Sequence, residues 1–261
     1  MDINLIIILI LIGIFTGIVT GLTGASGVMV VVPFLNILLN YSIYEAIGTS
    51  LLVNIISPLA ISYVYYKHGN IDLKSGIWIA IGSIIGAQVG TMFASGIPEI
   101  GLGGGFGIFM VIMGIFIWSK GINHESIAKI SKKLVKFETR TQIIVTSLIL
   151  GFLVGIMTGI FGAGGGGMIL LILIFVLNFP IHLAIGTSAL LMVITSCSGT
   201  VAYALRGNIQ LVPGLIMGIT SAASGMGSAV FANKVNERIL GKAVGIIFLI
   251  LGLAMTVLHF S

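Results

Sequence analysis

In a chain with few reactive side chains, two stretches could do chemistry: "TGLTGASG" at 20–27 and "TGIFGAGG" at 158–165. Five of their eight letters coincide, and each lies inside a long apolar run. Glycine-dense sequence makes poor helix, because each glycine is about 1 kcal/mol less favourable than alanine in a helix interior. A helix broken there exposes amide N–H groups that lack intrahelical partners and carry partial positive charge. With no side chain in the way, an oxyanion can approach that backbone closely. Gly24, Ala25, Ser26 and Gly27 in the first run, and Gly162, Ala163, Gly164 and Gly165 in the second, are therefore candidate anion contacts. The competing reading of both runs is a simple tight turn.

A second constellation is "AIGTS", found at 46–50 and again at 184–188. Thr49, Ser50, Thr187 and Ser188 could donate hydroxyl hydrogen bonds to an oxyanion. They could equally bond back to the carbonyl one turn earlier, as Ser and Thr commonly do in apolar helices. Asn54 and the "TSCSGT" stretch at 195–200 lie in the same helices and are candidates for lining a path. The acids are Asp2, Glu45, Asp72, Glu99, Glu125, Glu138 and Glu237, all in termini, loops or segment edges. His68, His124, His182 and His259 are peripheral too. No buried carboxylate or histidine offers a proton relay, and no His/Cys set suggests a metal site. Cys197 has no accompanying base, which argues against an enzyme, and no cofactor is implied.

The elements that position these residues must cross a membrane. The 261 residues are 57% hydrophobic and 7% charged, with mean hydropathy +1.22. A soluble domain carries about 25% charged residues, so this composition predicts an all-α integral membrane protein. Each crossing takes roughly 20 apolar residues, and the length allows about eight to ten transmembrane or re-entrant helices. Asp2 and the lack of Lys or Arg before the first run favour a retained first helix over a cleaved leader. The pI of 9.4 comes from short loops, which fits orientation signals and gives no reason to expect nucleic acid.

Residues 13–118 align with 151–256 at a constant offset of 138, without a gap and with roughly a third of positions identical. "NYSIYEAIGTS" matches "NFPIHLAIGTS", and "YYKHGNIDLKSG" matches "YALRGNIQLVPG". "GNI" at 69–71 and 207–209 reads as a turn in each. The expected division is a repeat at 1–119, a basic amphipathic cytoplasmic linker at 120–140 and a second repeat at 141–261. Each repeat has five apolar segments, and its second segment (28–39 and 166–178) is too short to span without tilting or re-entering. Gly13, Gly17, Gly21, Gly151, Gly155 and Gly159 have the spacing of close helix packing.

Six of the twelve Lys and Arg lie in 120–140, which sets that stretch inside. An odd number of crossings per half places eleven of the twelve on the same side, with Arg206 alone outside; an even number places nine. The odd count gives two inverted-topology repeats with broken glycine-rich helices, and a substrate site near their interface.

With these motifs in order, the chain resembles the TauE/SafE family of membrane transporters, the sulfite exporter family, from about residue 8 to 257. "GASGVMVVVP", ending at Pro33, resembles that family's first glycine element, and "GAGGGGMILL" is similar to its second copy. Ser26 interrupts the first run, and no proline follows the second. The resemblance implies a multi-pass plasma-membrane protein that transports sulfite, a sulfonate or a related organic anion, usually outward. The expected partners are a small anionic substrate and membrane lipid. The alternatives are a carrier of another small solute, such as a carboxylate, and a non-transporting assembly subunit that binds through 120–140.

Overall fold

The computed structural model describes residues 3–23, 26–120, 140–162, 165–175, 177, 179–232 and 237–260. Among these residues all the regular structure is helical, as lipid demands of a backbone that must satisfy its own N–H and C=O groups. The first half holds α1 (Ile3–Thr23), α2 (Val28–Pro33), α3 (Ile43–Lys67), α4 (Leu73–Ala94) and α5 (Glu99–Lys120). The second holds α6 (Arg140–Phe161), α7 (Gly166–Phe175), α8 (Ile181–Ala204), α9 (Leu211–Ala232) and α10 (Glu237–Phe260). The chain is a multi-pass all-α membrane protein.

Six of these helices, α1, α3, α4, α6, α8 and α9, are long and apolar enough to cross a bilayer. α5 and α10 are likewise long, 22 and 24 residues, and their apolar sequence runs over 100–118 and 243–258. α2 continues through a π turn, Phe34–Leu38, that follows directly on Pro33, a residue with no amide hydrogen to give the helix ladder. At 1.5 Å per residue, α2 with its π turn reaches about 16 Å, roughly half a hydrocarbon core. α7 is shorter still, with 10 residues. Both short helices start from buried glycine-rich breaks, at Gly27 and Gly165, and the π turn that continues α2 runs out to the exposed Leu38.

The breaks before α2 and α7 fall where glycine density predicts them. α1 ends at Thr23 and α2 starts at Val28; α6 ends at Phe161 and α7 starts at Gly166. α3 has a sharper start, a capping box in which the Glu45 amide donates to Ser42 Oγ and the Ser42 amide to the Glu45 carboxylate.

The halves are interleaved, not laid side by side. α1 packs on α9 and, correspondingly, α6 packs on α4. α3 packs on α9 while α8 packs on α4, and α3 meets α8 just as α5 meets α10. Every one of these contacts is preserved when the members of one half are exchanged for their equivalents in the other. Small residues allow the close approach. A Cβ on Gly17 or Gly21 would overlap α9 at Ser221 O or Gly225 O, and one on Gly151, Gly155 or Gly159 would overlap carbonyls of α4. Gly13 likewise faces Thr220 and Met217 of α9.

The apolar core gathers between α1, α2, α3 and α5, with Leu35, Ile47, Leu51, Phe106 and Met110 fully buried. The basic stretch 120–140 lies outside the described residues, apart from the helix ends at Lys120 and Arg140.

Candidate functional site

The first break is built from hydroxyls and an amide. Asn54 Nδ2, from α3, donates to Ser26 Oγ at 2.7 Å, and the Val28 amide donates to the same oxygen at 3.3 Å. Ser26 Oγ thus accepts twice, and among the described residues its own proton has no acceptor. Thr20, one turn before the break on α1, is 2% exposed, and its Oγ1 has no partner among the described residues. A Cβ built on Gly27 would lie 3.1 Å from that Oγ1 and 3.5 Å from Asn54 Oδ1, so Thr20, Ser26, Gly27 and Asn54 converge. Ser26 is itself 2% exposed, which puts the cluster within packed protein. Gly24 and Ala25 lie outside the described residues.

The second break has the same frame and different chemistry. Gly162 and Gly165 take φ of +64° and +63°, a left-handed conformation that glycine adopts without the Cβ penalty. Gly27, the counterpart of Gly165, is instead right-handed at φ −64°. Gly165 faces Thr158 Oγ1, as Gly27 faces Thr20, but the Thr158 hydroxyl is satisfied by Val154 O at 2.9 Å. Gly164 stands in the place of Ser26 and Met192 in that of Asn54. Ala163 and Gly164 lie outside the described residues. Chemically, the first break is the polar one.

Both breaks touch α3. Asn54 reaches Ser26, and Ile47 covers Gly162, 2.6 Å from where a Cβ would stand. Residues 47 and 54 are two helical turns apart, so the loops meet α3 about 10 Å from each other.

The "AIGTS" motifs occupy a different place. Thr49 Oγ1 accepts from the Gln210 amide at 2.9 Å, and Thr187 Oγ1 accepts from the Asp72 amide at 2.9 Å. Gly48 is pressed against the Asn208 carbonyl and Gly186 against the Asn70 carbonyl. Each motif therefore seats the "GNI" turn of the opposite half, and Gly69 and Gly207 in those turns have φ of +71° and +75°. Ser50 and Ser188 donate back to Ile47 O and Ile185 O, at 2.7 and 2.9 Å. All four hydroxyl groups are wholly buried and engaged with protein at the junction of the halves.

The polar pairs lower in the bundle obey the same exchange. Ser83 meets Thr195 at 2.8 Å, and Ser57 meets Ser221 at 2.8 Å. Further along α8, the Oγ of Ser196 and the Oγ1 of Thr200 are buried and without a partner among the described residues. These two sit one turn apart on a single helix face. Among the described residues, no group of three or more His, Cys, Asp or Glu is placed to hold a metal.

Thr20 was not singled out by sequence reasoning, although it opens the quoted stretch. Its signal was available in the recurrence of Thr at 20 and 158, one turn ahead of each break.

Comparison with known proteins is consistent with this architecture. The family model described as "Sulfite exporter TauE/SafE" matches residues 9–255. The probable membrane transporter protein YunE of Bacillus subtilis (strain 168) is 27% identical over 271 residues, covering 94% of this chain and 95% of its own. The probable membrane transporter protein YdhB of the same organism is 26% identical over 239 residues, covering 90% of this chain and 94% of its own. No solved structure matches the chain.

Proposed function

Because the chain belongs to the TauE/SafE sulfite exporter family and is thereby a membrane transporter, we propose that it carries a small sulfur oxyanion, sulfite or a sulfonate, outward. One observation carries this reading. At the first helix break a buried Thr20 hydroxyl, without a partner among the described residues, stands beside Ser26, whose hydroxyl is the acceptor in both of its hydrogen bonds to described residues. A buried polar group left unpaired is costly, and an oxyanion with several acceptor oxygens is the ligand that would satisfy two hydroxyl donors. The amides of a broken helix add donors of the same sign.

The mechanism follows from burial. Thr20, Ser26 and Gly27 are closed off from both faces, so substrate reaches them only when the halves move relative to each other. Alternating access by two inverted repeats supplies such a motion. It is supported by α3 and α8 running antiparallel: the start of α3 meets the α8–α9 turn, and the start of α8 meets the α3–α4 turn. Small-residue packing along α1–α9 and α4–α6 lets these interfaces slide without unlocking bulky side chains. The positive-inside count puts the α3–α4 turn on the cytoplasmic face and Arg206 on the other.

The test is flux in proteoliposomes with labelled sulfite and a small sulfonate, run beside acetate and chloride. Saturable flux of the sulfur anions, with mutual competition, is the expected result. Preference for acetate would replace the sulfur oxyanion with a carboxylate, and absence of flux for every anion from folded protein would remove the anion reading.

A further inference from the structure

A cavity of about 190 Å³ opens at the end of the bundle where α8 turns into α9. It is lined by Tyr44, Thr91, Ser95, Tyr203, Arg206 and Asn208, drawn from both halves. Arg206 supplies its charge. The guanidinium Nη1 donates to Ala202 O at 2.9 Å, which leaves most of its five N–H groups for a ligand. The tyrosines, by contrast, are tied down: Tyr44 donates to Ile97 O, and Tyr203 donates to Gly159 O at 3.1 Å. Thr91 and Ser95 also give their protons to backbone, to Ala87 O and Met92 O at 2.7 Å. The Asn208 backbone amide is given to Tyr203 O at 3.0 Å, so among the described residues the free donors of the cavity concentrate on the Arg206 guanidinium and the Asn208 side-chain amide, a fork suited to the oxygens of an anion.

The floor of the cavity leads to the second helix break. Tyr203 is 1% exposed, and its hydroxyl holds the carbonyl of Gly159, three residues before Gly162. Gly48, pressed on Asn208 and Tyr203, lies next to the Ile47 that covers Gly162. An anion held at Arg206 therefore stands one side chain away from the loop. A smaller cavity, about 90 Å³, occupies the equivalent position at the other end, where Tyr65, His68 and Asn70 replace Tyr203, Arg206 and Asn208. His68 Nδ1 bonds Val64 O as Arg206 bonds Ala202 O. The same vestibule is built twice, and only the Arg206 copy carries a permanent cation.

We propose that the Arg206 cavity is a vestibular binding site for a small oxyanion, which Arg206 and Asn208 hold on the outer side of the Tyr203 floor as an exported anion leaves the 162–165 loop. The passage from the loop rests on the transport reading above; the binding does not. A lipid phosphate could offer the same oxygens, so the test separates a soluble anion from a headgroup.

The probe is a cysteine at Ser95 in a Cys197→Ala background, purified in a maltoside detergent. It is labelled with a sulfonate-bearing methanethiosulfonate or with its trimethylammonium counterpart. Each rate is taken relative to that of the same reagent with free 2-mercaptoethanol; on that scale proximity to one cation favours the anionic reagent roughly fivefold, and millimolar methanesulfonate slows its reaction. Arg206→Gln abolishes both effects. Equal rates for the two reagents, a preference that survives Arg206→Gln, or protection that appears only after anionic lipid is added would each overturn the site. The unlabelled protein gives a second readout: methanesulfonate raises its melting temperature above that in equimolar chloride, and Arg206→Gln removes the increment. A rise that Arg206→Gln leaves intact counts against the cavity. Sulfite flux in vesicles judges transport separately. Protection without flux supports the cavity and overturns the transport reading, whereas flux without protection overturns the cavity.

Discussion

The amide of Gln210 donates to Thr49 Oγ1 at 2.9 Å, across a sequence separation of 161 residues. Its counterpart, the Asp72 amide on Thr187 Oγ1, has the same length. Two wholly buried threonines thus clasp the turns of the opposite halves, and the repeated "AIGTS" motif has a structural reason to exist in both. Replacing Thr49 or Thr187 by valine keeps shape and removes the acceptor. An amide left unpaired in that setting costs about 1–3 kcal/mol, so each variant should melt several degrees lower in detergent, while Thr→Ser at the same positions should retain most of the stability. Equal melting of the Val and Ser variants would show that the clasp contributes nothing.

Glycine substitutions should separate by what surrounds them. A Cβ at Gly48 or Gly186 meets the Asn208 or Asn70 carbonyl, which is backbone and cannot swing aside. Gly227 of α9 has nothing within 4 Å of its Cβ position. Gly48→Ala and Gly186→Ala should therefore lower folded yield and melting temperature, whereas Gly227→Ala should be neutral or gain up to about 1 kcal/mol from helix propensity. Comparable losses at all three positions, measured by melting of the purified variants, would contradict the close junction at the turns.

Thr20 should show a split between stability and activity. Its Oγ1 is buried without a partner among the described residues, so Thr20→Val exchanges that hydroxyl for a methyl and should leave the melting temperature unchanged or raised. A hydrogen bond to an anion is worth about 1.5–3 kcal/mol, and its loss should cut sulfite flux roughly tenfold or more. Ser26→Ala behaves differently, because it strands Asn54 Nδ2 and the Val28 amide, and it should lower stability as well as flux. Wild-type flux in Thr20→Val would remove that hydroxyl from the binding site.

Much of this molecule could be read from the chain. The helix breaks at 24–27 and 162–165 were legible because glycine density opposes helix locally, and the duplication because the offset of 138 runs without a gap. What could not be read is which copy each motif faces. Nothing local to Thr49 says that its partner is Gln210 of the other half rather than a ligand, because contacts between helices depend on how the halves interleave. The unlike chemistry of the two breaks was visible only as letters, Ser26 against Gly164 and Asn54 against Met192. It acquired meaning once Asn54 was seen to reach Ser26. Arg206 stood out as the one charge on the wrong side of the count, but its place in a cavity depends on Tyr44 and Thr91, more than a hundred residues earlier.

The topology yields the last prediction. Lys67 and Leu205 are equivalent under the offset of 138, each at the end of its long helix, and both are exposed. The clasps place the α8–α9 turn beside the start of α3 and the α3–α4 turn beside the start of α8, so the two positions lie at opposite ends of the bundle. In a Cys197→Ala background, Leu205→Cys should react with a membrane-impermeant maleimide on intact cells. Lys67→Cys should react only after permeabilisation, because lysine-rich loops stay in the cytoplasm. Labelling of both from outside would break the antiparallel arrangement of α3 and α8 itself. Labelling of Lys67→Cys alone would keep the arrangement and reverse its orientation, placing Arg206 on the cytoplasmic face and turning the vestibule into the side from which an exported anion is collected.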